Sequence, residues 1–205
     1  MAKKKQKVTR TITRLQVHHM WMPDYSCWSK DNALRRQKNT KDFHIHTNHW
    51  DDIAQHFSIF PDGHIVTGRT LNKTPIGIRG WNTNAICVEI YGNFDKGHDK
   101  MTVAQKEAVI GLYGELCKRF NIKPSTSTIR PHCWFTAGGA YLGKYDPNKS
   151  AKTCPGTKYD IETQLNKGVA ITIVAEEKVH AGGTWCKAKS DYWVNKKYLE
   201  FVKYV

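Results

Sequence analysis

The stretch Ala85-Ile86-Cys87-Val88-Glu89-Ile90-Tyr91 constrains the fold more than any other part of the chain. A near-continuous apolar run of this length reads as a strand covered on both faces, and such a strand belongs in the middle of a sheet. Glu89 interrupts the run. A carboxylate in a buried strand is costly unless it is paired or put to use. Glu89 is therefore a candidate for chemistry on its position alone.

Other elements can be read around that strand. Residues 11–19 alternate apolar or β-branched side chains with polar ones, through Ile12, Leu15 and Val17, and predict a strand ending in His18-His19. Neighbours on a strand point to opposite faces, so at most one of these imidazoles faces a given site. A loop and a short helix over 29–38 follow. Phe43, His44, His46, His49 and Trp50 then crowd together. His44 and His46 lack the i,i+4 spacing of a helical ligand pair, so this stretch reads as a helical or loop surface rather than a second metal cluster. Two alternating runs, 56–60 and 64–69, flank Pro61-Asp62-Gly63 and predict a β-hairpin.

The clearest helix spans 101–120. Thr102 can cap it, Gln105 stands at capping-box spacing, and Leu112, Leu116 and Phe120 contribute to a broad apolar face. Asn121 and Pro124 end it. A short strand over 126–130 leads into His132, and 133–151 is a loop with Gly138-Gly139. Beyond it come a helix over 159–166, a boundary at Lys167-Gly168, a strand-like run over 169–174, and a stretch mixing Lys with Trp, Tyr and Phe. The expected organisation is a basic tail at 1–10, a catalytic domain at 11–167, and an appendage at 168–205. The appendage is read as an aid to binding an anionic polymer such as a cell wall, as extra strands on the core, or as a truncated second domain.

His132 and the later run Lys152-Thr153-Cys154-Pro155-Gly156 offer an imidazole and a thiol. With one imidazole from His18-His19 they would form a zinc site with one open position, the catalytic rather than the structural pattern. The six cysteines form no CxxC pair, and most read as buried small apolar residues of a reducing compartment. The net charge of +14 predicts an acidic partner or surroundings: nucleic acid, anionic lipid or cell wall. No helix-turn-helix, paired zinc-finger or RNP-type signature favours nucleic acid. The basic start has no apolar stretch behind it. The chain is therefore expected to be made in the cytoplasm without a signal peptide or transmembrane segment.

Taken in order, these landmarks resemble the zinc-dependent N-acetylmuramoyl-L-alanine amidases of the phage-lysozyme and peptidoglycan-recognition-protein superfamily. The resemblance runs from about residue 15 to about residue 165. It rests on Val17-His18-His19, Phe43-His44, Trp50-Asp51-Asp52-Ile53, His56-Phe57 and Gly68-Arg69. It continues through Trp81-Asn82-Thr83-Asn84, the central strand with Gly92-Asn93-Phe94, the helix opening at Thr102, then His132 and Lys-Thr-Cys-Pro-Gly.

The resemblance implies a three-layer α/β fold, a mixed central sheet flanked by helices. It implies one Zn²⁺ per chain on His18, His132 and Cys154, with His19 left out. Lys152 takes the oxyanion role. Many members place a Tyr where Gln55 stands here. Others use a glutamate on the central strand, and this assigns proton transfer to Glu89. Arg69, Trp81, Asn82 and Asn93 fall where the family lines its groove.

Twenty-two positions separate His132 from Cys154, a longer spacing than usual for the family. Trp134, Phe135, Tyr141 and Tyr145 of this insertion either extend the groove by stacking on sugars or pack on each other. Cys133 is the competing thiol. The implied activity is hydrolysis of the amide between N-acetylmuramic acid and L-alanine in bacterial peptidoglycan, by a monomeric phage or prophage endolysin acting on the wall after release. The alternatives are a non-catalytic peptidoglycan-binding module and a cytosolic muropeptide-recycling amidase.

Overall fold

The apolar run at 85–91 does form the middle of a sheet. In a computed structural model describing residues 7–29 and 33–157, with the backbone of three strands further on, strands β1 (Arg14–His19), β2 (Phe57–Ile59), β3 (Ile65–Thr67), β4 (Ala85–Ile90) and β5 (Ile129–Pro131) form one five-stranded sheet. Its order is β3-β2-β4-β1-β5, with β4 third. β4 runs parallel to β1 and β2, β5 runs parallel to β1, and β2–β3 is the antiparallel hairpin expected around Pro61-Asp62-Gly63. The sheet is therefore mixed, as expected. The backbone strands β6 (Ile173–His180), β7 (Gly183–Ala188) and β8 (Trp193–Asn195) form a separate three-stranded antiparallel sheet. The expected helix over 159–166 and the boundary at 167–168 lie outside the described residues.

Strand parity divides the main sheet into two faces. Leu15 and Val17 of β1, Phe57 and Ile59 of β2, and Ile86, Val88 and Ile90 of β4 share one core with Ala108, Leu112 and Leu116. The last three belong to helix α2 (Val103–Arg119). Full burial of a leucine such as Leu112 stabilises by about 1.5–3 kcal/mol. The opposite parity, carrying Gln16, His18, Ser58, Cys87 and Glu89, faces away from that core. Helix α1 (Ala33–His46) borders this second face, and Gln37 Nε2 donates to the Thr67 carbonyl at 3.2 Å. α1 starts later than expected and runs through His44 and His46, so half of the His-rich stretch is helix.

Thr102 caps α2, its Oγ1 accepting the Gln105 N–H at 3.0 Å. The second half of the capping box is not made. Gln105 is buried, and its Nε2 donates instead to Ile59 O at 3.2 Å and Tyr91 O at 2.8 Å, clamping helix to sheet. Asn121, at φ 52°, turns the chain out of the helix in the left-handed region.

The end of the expected basic tail is anchored. Thr9 N–H donates to Asn72 Oδ1 at 2.8 Å, and the Arg10 guanidinium donates to Leu71 O and, at 2.6 Å, to Ala85 O. Ile78, Trp81, Cys133, Trp134 and Phe135 form a second, smaller apolar cluster. Two of the insertion's four aromatic residues belong to it. Trp134 and Phe135 are buried, whereas Tyr141 and Tyr145 are exposed.

Candidate functional site

The C-terminal end of β1, the turn after β5 and the run at 152–156 converge. His18, His132 and Cys154 each bring one ligand atom, and these atoms lie within 4.8 Å of one another. The two imidazoles meet edge-on, with ring centroids 5.0 Å apart. His18 Nε2 is a buried nitrogen with no hydrogen-bond partner. Native interiors leave few such atoms without a reason. Beside a second imidazole and a thiol, this one fits a borderline-soft cation such as Zn²⁺. Among the described residues this is the one group of His, Cys or acidic side chains placed to hold a metal. The His44–Trp50 stretch makes none: His44 Nδ1 accepts the Ala54 N–H at 3.2 Å and its ring packs on Trp50.

Electrostatics fits the same donor set. Burial, then the charges of His132, His19 and Lys152, hold His18 well below the usual imidazole range. Burial and Lys152 bring His132 down to about 4. Both rings are thus neutral near pH 7, the form that ligates. Burial and the nearby Glu89 charge push the Cys154 thiol well up, opposed by the His19 N–H that reaches its Sγ at 3.1 Å. A thiol so placed ionises when a cation sits beside it.

His19 is excluded from the group. Its Nδ1 accepts the Phe94 N–H at 3.0 Å, and its ring is not among the groups whose ligand atoms converge. Cys133 is excluded too. It is buried in the second apolar cluster and meets Cys154 only through a backbone bond, its N–H donating to Cys154 O at 2.8 Å.

The group sits at the floor of a cleft of about 890 Å³, whose walls include Glu89, Lys152, Gln55 and the α1 residues Arg36, Asn39, Thr40 and Phe43. Glu89 lies in register with His18 across the β1–β4 pair, and its Oε1 is 3.8 Å from His18 Nδ1. Burial pushes its carboxyl up to about 8, with Lys152 pulling the other way. Lys152 makes no ion pair among the described residues. Gln55 is fully buried, and its Nε2 donates to Ser58 Oγ at 2.9 Å.

The four groove candidates taken from sequence are not brought to this cleft. Arg69 is buried, bonded to Asp51 at 2.6 Å and to Ile53 O at 2.8 Å. Trp81 packs on Phe135 with Arg14 and Arg130 over its ring. Asn82 Oδ1 accepts from Gly77, Ile78 and Gln16. Asn93 Oδ1 accepts the Asp95 N–H at 3.0 Å. The α1 wall was not foreseen, although Arg36, Asn39, Thr40 and Phe43 recur at helical spacing and so mark one face.

Comparison with known proteins agrees with this architecture. A region of 78 residues is 33% identical to peptidoglycan-recognition protein 2 of Holotrichia diomphalia, covering 38% of this chain and 41% of that protein. The chain thus matches less than half the length of this relative. The solved structure of Drosophila PGRP-LB superposes with a TM-score of 0.60 at 20% identity, over 79% of this chain and 85% of that one. The amidase LysC of Clostridium intestinale gives 0.56 at 20%, over 78% and 87%. At such identities the likeness is one of fold. Residues 8–157 match the sequence profile of the N-acetylmuramoyl-L-alanine amidases, and these residues contain the sheet, both helices and all three candidate ligands. The chain belongs to the N-acetylmuramoyl-L-alanine amidase family.

Proposed function

We propose that the protein is a zinc-dependent amidase that cuts the bond between N-acetylmuramic acid and L-alanine in peptidoglycan. One observation carries this reading: His18, His132, Cys154, Glu89 and Lys152 all open onto one cleft. Members that only recognise peptidoglycan need no such set, and here no member of it is replaced. Another neighbour, peptidoglycan recognition protein-LE, is solved in complex with tracheal cytotoxin, a monomeric diaminopimelic acid-type peptidoglycan, which supports a peptidoglycan fragment as the occupant of this type of cleft.

His18, His132 and Cys154 would hold the ion. When bound, zinc lowers the pKa of a coordinated water to about 7 and polarises the carbonyl. The chain's own groups supply the rest. Glu89 takes a proton from the attacking water and returns it to the leaving amine. Burial raises this carboxyl in the metal-free chain, and a cation held beside it would draw it back down, toward the range where one group can both take and return a proton near neutral pH. Lys152, an exposed side chain on the cleft wall, brings positive charge toward the developing oxyanion. The Gln55 carboxamide does not titrate near neutral pH, so the proton work falls on Glu89. The net charge of +14 suits approach to an anionic wall, and we read the protein as a wall lysin of endolysin type.

Mass analysis of muropeptides after digestion tests the bond. Free stem peptides with an L-alanine amino terminus are expected, and a chelator should abolish them. Cut glycan strands or cut cross-bridges would refute the assignment.

A further inference from the structure

We infer that His19 and Asp95 are positioning residues that brace the thiol-bearing run 153–157, and so set how well Cys154 serves as a ligand. This rests on the metal reading above. Asp95 lies in the loop after β4, far in sequence from the run it holds. Its Oδ2 accepts the Thr153 Oγ1–H at 2.9 Å, and its Oδ1 accepts the Thr157 N–H at 3.1 Å. Thr157 Oγ1 in turn accepts the Lys96 N–H at 3.0 Å. One carboxylate thereby ties both ends of a run with Cys154 inside it.

The same loop is fixed to the metal-side strand through His19. The His19 ring accepts the Phe94 N–H at 3.0 Å, and the His19 backbone N–H reaches Cys154 Sγ at 3.1 Å. The circuit closes: β1 holds the loop, the loop holds the run, and the run returns the sulfur to β1. Between loop and run there is no spare room. A Cβ on Gly156, which sits at φ 116°, would stand 2.3 Å from Phe94 O. The fit of this segment against 94–95 is thus by contact as well as by hydrogen bond.

The consequence is chemical. Cys154 comes from a loop, whereas His18 comes from a sheet strand, so the sulfur is the ligand most in need of outside support. Groups that orient a ligand without touching the metal commonly change affinity 10–100-fold when removed. His19 thus gains a function although its ring is not a ligand.

The test uses the full-length metal-loaded protein. Zinc affinity is measured by chelator competition, and the sulfur-to-cobalt charge-transfer band of the Co²⁺-substituted protein reports the thiolate bond. Asp95→Ala and Thr153→Val should each weaken zinc 10–100-fold and diminish or shift that band. Thr153→Val removes one bond only, so it keeps the test open if Asp95→Ala fails to fold. Wild-type affinity and an unchanged band in folded variants would overturn the brace. A wild-type protein that binds neither metal would instead overturn the metal reading itself.

Discussion

Glu89 has two possible employments, and they separate at the level of a single atom. It stands 3.8 Å from His18 Nδ1, close enough to orient that ring, and it opens onto the cleft, where it can carry a proton. Glu89→Gln keeps the shape and an acceptor oxygen while removing the proton chemistry. If the carboxylate serves turnover, the variant should retain zinc and lose about 10²–10⁴-fold in rate. Stoichiometric zinc by elemental analysis together with near-normal turnover would remove Glu89 from the mechanism. Sequence pointed to this residue because a charge inside an apolar strand is conspicuous. It could not choose between His18 and His19 by parity alone. What decides is the Phe94 N–H that claims the His19 ring, a contact 75 positions away in the chain. The partners that Arg69, Asn82 and Asn93 take, Asp51, Gly77 and Asp95, are likewise assigned by the fold and not by local pattern.

Elements with a strong period were legible, and those whose ends are set by tertiary contacts were not. β1, β4 and the hairpin follow from alternation, apolar runs and Pro-Asp-Gly. α1 was placed too early and too short because its exposed face is polar and only Gln37 is buried along it. The period of α2 identifies the helix, but capping-box spacing does not identify the partners of Gln105. A capping box accepts Glu as readily as Gln at that position. The observed contacts do not, because Nε2 donates to two carbonyl oxygens, Ile59 O and Tyr91 O. Gln105→Glu would aim a carboxylate at both of them in a fully buried site, where an unmatched polar or charged group costs about 1–3 kcal/mol or more. Urea denaturation should show a loss of at least that size. An unchanged or raised midpoint would restore the capping-box role and remove the helix-to-sheet clamp.

At the scale of the molecule, the described core and the family match coincide, and β6–β8 form their own sheet beyond them. No helix among the described residues is long and apolar enough to cross a membrane. The core's weakness lies in its buried imidazoles. His56 sits between β2 and β4, its Nδ1 accepting the Cys87 N–H at 3.0 Å and its Nε2 lying 3.0 Å from Lys73 O. Burial, with Arg10 and Arg69 nearby and the Lys73 carbonyl opposing, lowers its pKa to about 4. The unfolded chain, with an imidazole near 6.5, therefore takes up a proton that the folded chain refuses. The sign follows: stability is full above about 6.5 and falls as pH drops toward 4, by about 3 kcal/mol from this residue if its shift is realised in full. His56→Asn retains an acceptor for the Cys87 N–H but cannot titrate. In metal-free protein, where zinc release adds nothing, the variant should be weaker at pH 7 yet lose less stability between pH 6.5 and 4.5. Thermal or urea unfolding across that window measures the difference. Parallel curves for the two proteins would mean that His56 does not couple acidity to the fold, and would leave the acid response to the other imidazoles whose pKa burial lowers, His18, His19, His44 and His132.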